Sequence, residues 1–114
     1  MLLDGKKIRD EIEKKLKKEI EKLPSKLTLA IMQIGSRDDS TAYITQKKIF
    51  AERIGAFIIH KQYAESVNEN EVIADIQNYN NDSSVHGIIL QIPIPEHLNR
   101  KLIIDTISPH KDVD

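Results

Sequence analysis

Residues 27–34 read LTLAIMQI, an apolar run closed by Gly35. The run is too short for a helix and shows no polar face, so it reads as a strand buried on both sides. On its N-terminal side, Ile8, Ile12, Leu16, Ile20 and Leu23 recur at spacings of four, four, four and three among lysines and glutamates. This predicts an amphipathic helix over residues 6–23, ended at Pro24 and Ser25, with its lysines forming a solvated face. On the C-terminal side, a polar loop at 35–39 leads to Ser40, which can cap a second helix running to about Ile54 and stopping at Gly55. Residues 57–63, FIIHKQY, predict a second strand. Ser66 and Glu69 have capping-box spacing ahead of a third helix with the stripe Val72, Ile73, Ile76 and Tyr79; the loop NNDSS follows at 80–84. Residues 87–92, GIILQI, predict a third buried strand broken by Pro93 and Pro95, and residues 98–107 a fourth helix ended by Pro109. Strands alternating with helices imply βαβ units with right-handed crossovers. The expected fold is therefore an α/β three-layer sandwich around a largely parallel sheet.

A chain of 114 residues suits a single domain with one sizeable core. With 17 basic against 18 acidic side chains the formal charge is −1, which offers no electrostatic case for nucleic acid or an anionic membrane as partner. No apolar run approaches the roughly 18 residues that span a bilayer. The absence of cysteine excludes a disulfide framework and thiolate metal sites and fits a reducing compartment, so the cytoplasm is the expected location. The four histidines lack any HExxH-like spacing, so no metal is assigned, and the loop GSRDD at 35–39 lacks the lysine and glycines of a phosphate-cradling loop.

Ligands of parallel sheets bind outside the carboxyl ends of the strands. Two predicted segments meet there: the start of the second helix and the end of the third strand at Gln91. Turning the second helix by about 100° per residue places Tyr43 at roughly 0°, Lys47 at 40°, Ala51 at 80°, Ile44 at 100°, Phe50 at −20° and Ile54 at 20°. Lys47 thus falls inside an apolar stripe. Such a lysine either buries its methylenes and extends its ammonium to water, or is a partly desolvated amine suited to general acid–base work. Gln91 is an amide where a buried strand emerges; it is satisfied either by neighbouring backbone or by Lys47 or a ligand. Residues 92–95, IPIP, form a stiff extended wall able to flank a flat ligand. Asp112 and Asp114 are either an acidic pair for substrate or a frayed terminus.

These residues carry a resemblance. LDGK at 3–6, then Ile34 and Gly35 with Ser40, Tyr43, Ile44 and Lys47, then GIILQIPIP at 87–95 and PHKDVD at 109–114, are similar, in order, to four motifs of the bifunctional methylenetetrahydrofolate dehydrogenase and methenyltetrahydrofolate cyclohydrolase family. The chain, residues 1–114, resembles that family's N-terminal, substrate-binding catalytic domain. The resemblance implies an oxidoreductase and hydrolase of one-carbon metabolism. It makes Lys47 the catalytic lysine, Tyr43 the ring that orients the folate, Gln91 the partner of the lysine and Asp114 the anchor of the pterin, with Ser40, Ile92 and Pro93 shaping the pocket. It also implies a second domain for NADP or NAD, for which no G-x-G-x-x-G occurs here, and a homodimer for the longer protein. The isolated chain is then expected to lack dehydrogenase activity and to expose an apolar strip, because the family's C-terminal segment packs back on this domain. Two positions depart from the family pattern: Asp39 stands where a small alanine is common and His86 where an acidic residue is common. Competing readings are a signalling receiver domain, whose phospho-acceptor aspartate should end the third strand where Gln91 stands, and a non-catalytic binding module or the substrate domain of another dehydrogenase.

Overall fold

Thr28–Ile34 forms β1, the middle of a three-stranded sheet ordered β2-β1-β3, with β2 at Phe57–Tyr63 and β3 at Gly87–Gln91. The computed structural model describes residues 5–113. Both pairings are parallel: Thr28 to Ile34 lie opposite Phe57 to Tyr63, and Leu29 to Gln33 opposite Gly87 to Gln91. The helices are α1 at Gly5–Glu21, α2 at Asp38–Ile54, α3 at Glu69–Asn80 and α4 at Arg100–Thr106. The chain moves from β1 outward to β2 through α2, then back across β1 to β3 through α3. Right-handed crossovers in opposite directions put α2 and α3 on opposite faces.

Side chains alternate across a strand, and the core divides accordingly. Ala30, Met32 and Ile34 of β1 with Ile88 and Leu90 of β3 point into one cluster with Val72 and Ile76 of α3 and Ile103 of α4. On the other face Ala51 and Ile54 of α2 pack with Ala56, Leu27, Ile58, and Leu16 and Ile20 of α1. The three-layer architecture expected from the sequence is the one observed.

Local details depart from the sequence reading. Ser40 does not cap α2: the cap position is Arg37, which makes no side-chain cap bond, and Ser40 lies buried inside the first turn. The helix starts earlier because Asp38 and Asp39 complement its N-terminal dipole, and the Asp39 carboxylate accepts the Ser40 amide N–H at 2.8 Å. Asn68, rather than Ser66, caps α3 by accepting from the Asn70 amide at 2.8 Å, leaving Glu69 to accept from the Asn99 amide at 2.6 Å. Asn99 caps α4, so the helix is shorter than expected and Leu98 is a buried residue preceding it. The stripe of α1 is covered only in part: Ile8 and Ile12 are exposed, and Ile12 with Ile49 and Phe50 of α2 flanks a groove of about 520 Å³.

Gly55 ends α2 with φ 83°, a left-handed conformation in which its N–H reaches the carbonyls of Ala51 and Glu52. Beyond α4 the chain returns beside β3, where the Ile88 amide donates to the Lys111 carbonyl at 2.7 Å and Ile88 bridges Asp112 in parallel. This return explains Gly87: a Cβ there would lie 2.6 Å from Leu29 Cδ2 and 2.9 Å from Val113 Cγ1. The Lys111 ammonium donates to the carbonyls of Tyr79 and Asp82, both at 2.7 Å, satisfying the C-terminal end of α3.

Candidate active site

In a 2-1-3 sheet the connections leaving β1 and β3 diverge to opposite faces, so a crevice opens between their carboxyl ends. Gln33 and Gln91 are register partners at that point, and period 2 aims both amides at the α2 face. Here the Lys47 ammonium donates to Gln91 Oε1 at 2.9 Å. Gln91 is only 8% exposed, and its Nε2 makes one longer bond to the Ile92 carbonyl at 3.3 Å. Both readings of this amide hold at once, with neighbouring backbone as the weaker partner and Lys47 as the stronger.

The buried side chains of α2 are Ser40, Ile44, Ala51 and Ile54, and Lys47, half-buried, lies within their arc. The stripe is narrower than the sequence suggested: Tyr43 is 62% exposed and Phe50 43%. Tyr43 therefore stands one turn before Lys47 with a ring open to a ligand. Ile92 and Pro93 are exposed beyond Gln91, and the peptide bond between them is cis. A cleft of about 340 Å³ continues past Pro93 and Ile94 to Gly35, Arg37 and Glu65. The structure thus brings Tyr43, Lys47, Gln91, Ile92 and Pro93 to one edge of the sheet and buries Ser40 beneath it. Asp114 lies outside the described residues.

Neither departure from the family pattern disturbs this edge. The Asp39 carboxylate is held by the Arg37 guanidinium through bonds of 3.0 and 2.9 Å, which with the Ser40 amide lower its pKa to about 2. Its charge is paired at the surface. His86 works at the opposite end of the sheet, where its Nδ1 accepts the Thr28 amide at 3.1 Å.

Sequence reasoning missed a polar chain beside the site. Gln33 is 2% exposed; its Nε2 donates to Thr41 Oγ1 at 3.1 Å and its Oε1 lies 2.8 Å from His60 Nε2. His60 Nδ1 in turn lies 2.8 Å from Lys48 Nζ. An ammonium can only donate, so Nδ1 accepts and Nε2 carries the proton that goes to Gln33. The signal was available, since Gln33 is an amide in a buried strand just as Gln91 is.

Burial, then the Lys48 charge, lower the His60 pKa below 6.5. Between the folded pKa and 6.5 the folded protein binds fewer protons than the unfolded chain, so stability rises with pH through that window. This contribution is fully present above the unfolded value and is lost as pH falls through the folded one. His60→Asn is expected to flatten that part of the stability–pH curve. A His60 resonance titrating at or above 6.5 would contradict the assignment.

Among the described residues no group of three or more His, Asp or Glu side chains is placed to hold a metal ion, and no helix is long and apolar enough to cross a membrane.

The fold and this edge define a class: a parallel α/β domain that presents a lysine amine, held by a strand-end glutamine, beside an exposed aromatic ring at the topological switch point. The family model for the catalytic domain of tetrahydrofolate dehydrogenase/cyclohydrolase matches residues 3–114. The chain belongs to that family. It is 38% identical to the bifunctional protein FolD of Halalkalibacterium halodurans, a match covering all of this chain and 42% of that protein. Among solved structures it superposes with a TM-score of 0.95 on the FolD methylenetetrahydrofolate dehydrogenase/cyclohydrolase of Campylobacter jejuni, at 34% identity over all of this chain and 42% of that one. The fold also matches, with a TM-score of 0.90 and 24% identity, the Trypanosoma brucei enzyme determined with an NADP cofactor and an inhibitor; all of this chain and 40% of that one are covered. The chain thus spans about two fifths of the length of these relatives.

Proposed function

We propose that residues 1–114 are the folate-binding catalytic domain of a bifunctional enzyme that oxidises methylenetetrahydrofolate to methenyltetrahydrofolate and hydrolyses the latter to formyltetrahydrofolate. The observation that carries this reading is the 2.9 Å bond between Lys47 and Gln91 at the switch-point crevice, one helical turn from an exposed Tyr43. The folate ring system lies against Tyr43, whose aromatic face suits a flat ligand, with Ile92 and Pro93 as the opposing wall, Ser40 shaping the floor and Asp114 anchoring the pterin. In the hydrolytic step water attacks the methenyl carbon. Lys47, as the neutral amine, takes the proton released by that water and returns it to the nitrogen as the carbon–nitrogen bond opens and the hydroxyl of the adduct gives its remaining proton to solvent to become the formyl oxygen, while Gln91 orients the amine through one N–H.

In the oxidative step NADP or NAD accepts a hydride from the methylene carbon, and this domain contributes by holding the folate. The nucleotide is bound by a region outside this chain, and neither step needs a metal. The groove flanked by Ile12, Ile49 and Phe50 is the surface for the rest of the longer protein, which we read as a cytoplasmic homodimer with neither a nucleic acid nor a membrane as partner.

Titration with a folate analogue tests the reading: saturable binding at the Tyr43 edge is expected, and no binding at any accessible concentration would sink it. Tyr43→Ala is expected to weaken that binding by about tenfold, since an aromatic contact with its buried area is worth on the order of 1.4 kcal/mol. Unaltered affinity would move the folate elsewhere. Gln91→Leu is expected to leave the fold intact while displacing the pH–rate profile of cyclohydrolysis, because the oxygen that receives the ammonium is gone. A superimposable profile would reduce Gln91 to a packing residue.

A further inference from the structure

We propose that Gln33 and Thr41 form a positioning pair that sets the N-terminal half of α2 over the sheet and so delivers Lys47 to Gln91. The sheet grips α2 through two adjacent amides. Gln91 of β3 accepts from Lys47, and its register partner Gln33 of β1 donates to Thr41 on the same helix. Thr41 and Lys47 lie between one and two turns apart, so the two bonds fix both the height and the rotation of that segment. Two attachments define the lie of a helix where one leaves it free to roll.

Gln33 is suited to this task because its orientation is locked. Lys48 has only hydrogens to give, which makes His60 Nδ1 an acceptor, His60 Nε2 a donor and Gln33 Oε1 its acceptor. The Gln33 amide is thereby turned with its nitrogen toward Thr41. Both ends of this buried side chain are engaged within the domain, so it acts on Lys47 through the helix and not on a ligand. Lys47 is a long side chain with much rotamer freedom, and the position of its ammonium depends on where its backbone stands. A shift of the helix by a fraction of an ångström is enough to spoil an acid–base geometry.

The activity arm of the test rests on the folate reading; the spectroscopic arm does not. Thr41→Val removes the hydroxyl at nearly constant shape on an exposed residue, whereas Thr41→Ser keeps the hydroxyl. Gln33→Met removes the amide from the other side. With glutamine-selective nitrogen-15 labelling, the Gln91 side-chain amide resonances are expected to move in Thr41→Val and in Gln33→Met and to return to the wild-type position in Thr41→Ser. Gln77 on α3 serves as an unmoved control. In the full-length protein, cyclohydrolase kcat is expected to fall about tenfold in Thr41→Val with KM nearly unchanged, the signature of lost geometry rather than lost binding, and to recover in Thr41→Ser. Gln91 resonances unmoved in both Thr41→Val and Gln33→Met would overturn the proposal, and so would moved resonances with wild-type kcat. Absence of folate turnover in every form, wild type included, would count against the proposed function, leaving the spectroscopic arm to decide the positioning role.

Discussion

Lys47→Met is expected to abolish cyclohydrolase turnover in the full-length protein while leaving folate affinity within about tenfold, or 1.4 kcal/mol. Methionine keeps the length and apolar stem that let Lys47 lie within the buried arc of α2, but it can neither accept nor donate the proton. General acid–base catalysis contributes roughly 10²- to 10⁴-fold, so the loss in kcat is expected in that range or beyond. The substitution also leaves Gln91 Oε1 without the donor now 2.9 Å away. An unpaired buried acceptor costs about 1–3 kcal/mol, and this one, in a side chain that keeps 8% exposure, is expected at the low end. The thermal midpoint is therefore expected to fall only slightly. Wild-type turnover in this variant would refute the acid–base role outright.

Ile88→Ala is expected to have the opposite profile. Ile88 is fully buried in the cluster between the sheet and the α3–α4 layer. Its backbone also holds the returning segment through the bond to the Lys111 carbonyl. Truncating an isoleucine to alanine in such a core costs about 2–5 kcal/mol, because the methyl groups removed leave a cavity that close-packed neighbours fill only in part. Against a typical domain stability of about 5–15 kcal/mol that is a large fraction. Denaturant unfolding is expected to show a lowered midpoint with an unchanged slope, and turnover per folded molecule is expected to stay near wild type. A loss below about 1 kcal/mol would mean that the cluster collapses around the gap. The pair of variants separates chemistry from architecture, since each should damage one and spare the other.

Much of the fold was legible because hydrophobic periodicity is a local property. The run at 27–34 lacks a polar face since β1 is the central strand with helices over both faces. The stripe of α3 emerged correctly in Val72 and Ile76, both fully buried. Helix starts were less legible. Ser40 and Ser66 are good caps by residue type, but Asp39 and Asn68 reached the free amides instead. Short polar side chains compete for the same few N–H groups, and their order along the chain does not say which wins. The width of the α2 stripe was misjudged at Tyr43 and Phe50, because an aromatic side chain at the edge of an apolar arc is buried only if a neighbouring layer reaches it, and α1 does not.

At the site, sequence alone determined which side chains had unusual chemistry for their surroundings: a lysine among the apolar positions of a helix, an amide closing a buried strand, and a tyrosine one turn upstream. It determined the family as well, because four motifs in order leave little room for coincidence. What only the tertiary structure decided was partnership. That Gln91 bonds Lys47 depends on β3 lying beside β1 rather than β2, which is a matter of strand order and of long-range packing. The same strand order brings Gln33 next to Gln91 and His60 next to Gln33, building a polar chain from residues that are separated by tens of positions in sequence and carry no shared local pattern. Hydrogen bonds between side chains on different elements are set by distances of a few tenths of an ångström. Those distances exist only once the sheet has formed and α2 has settled across it.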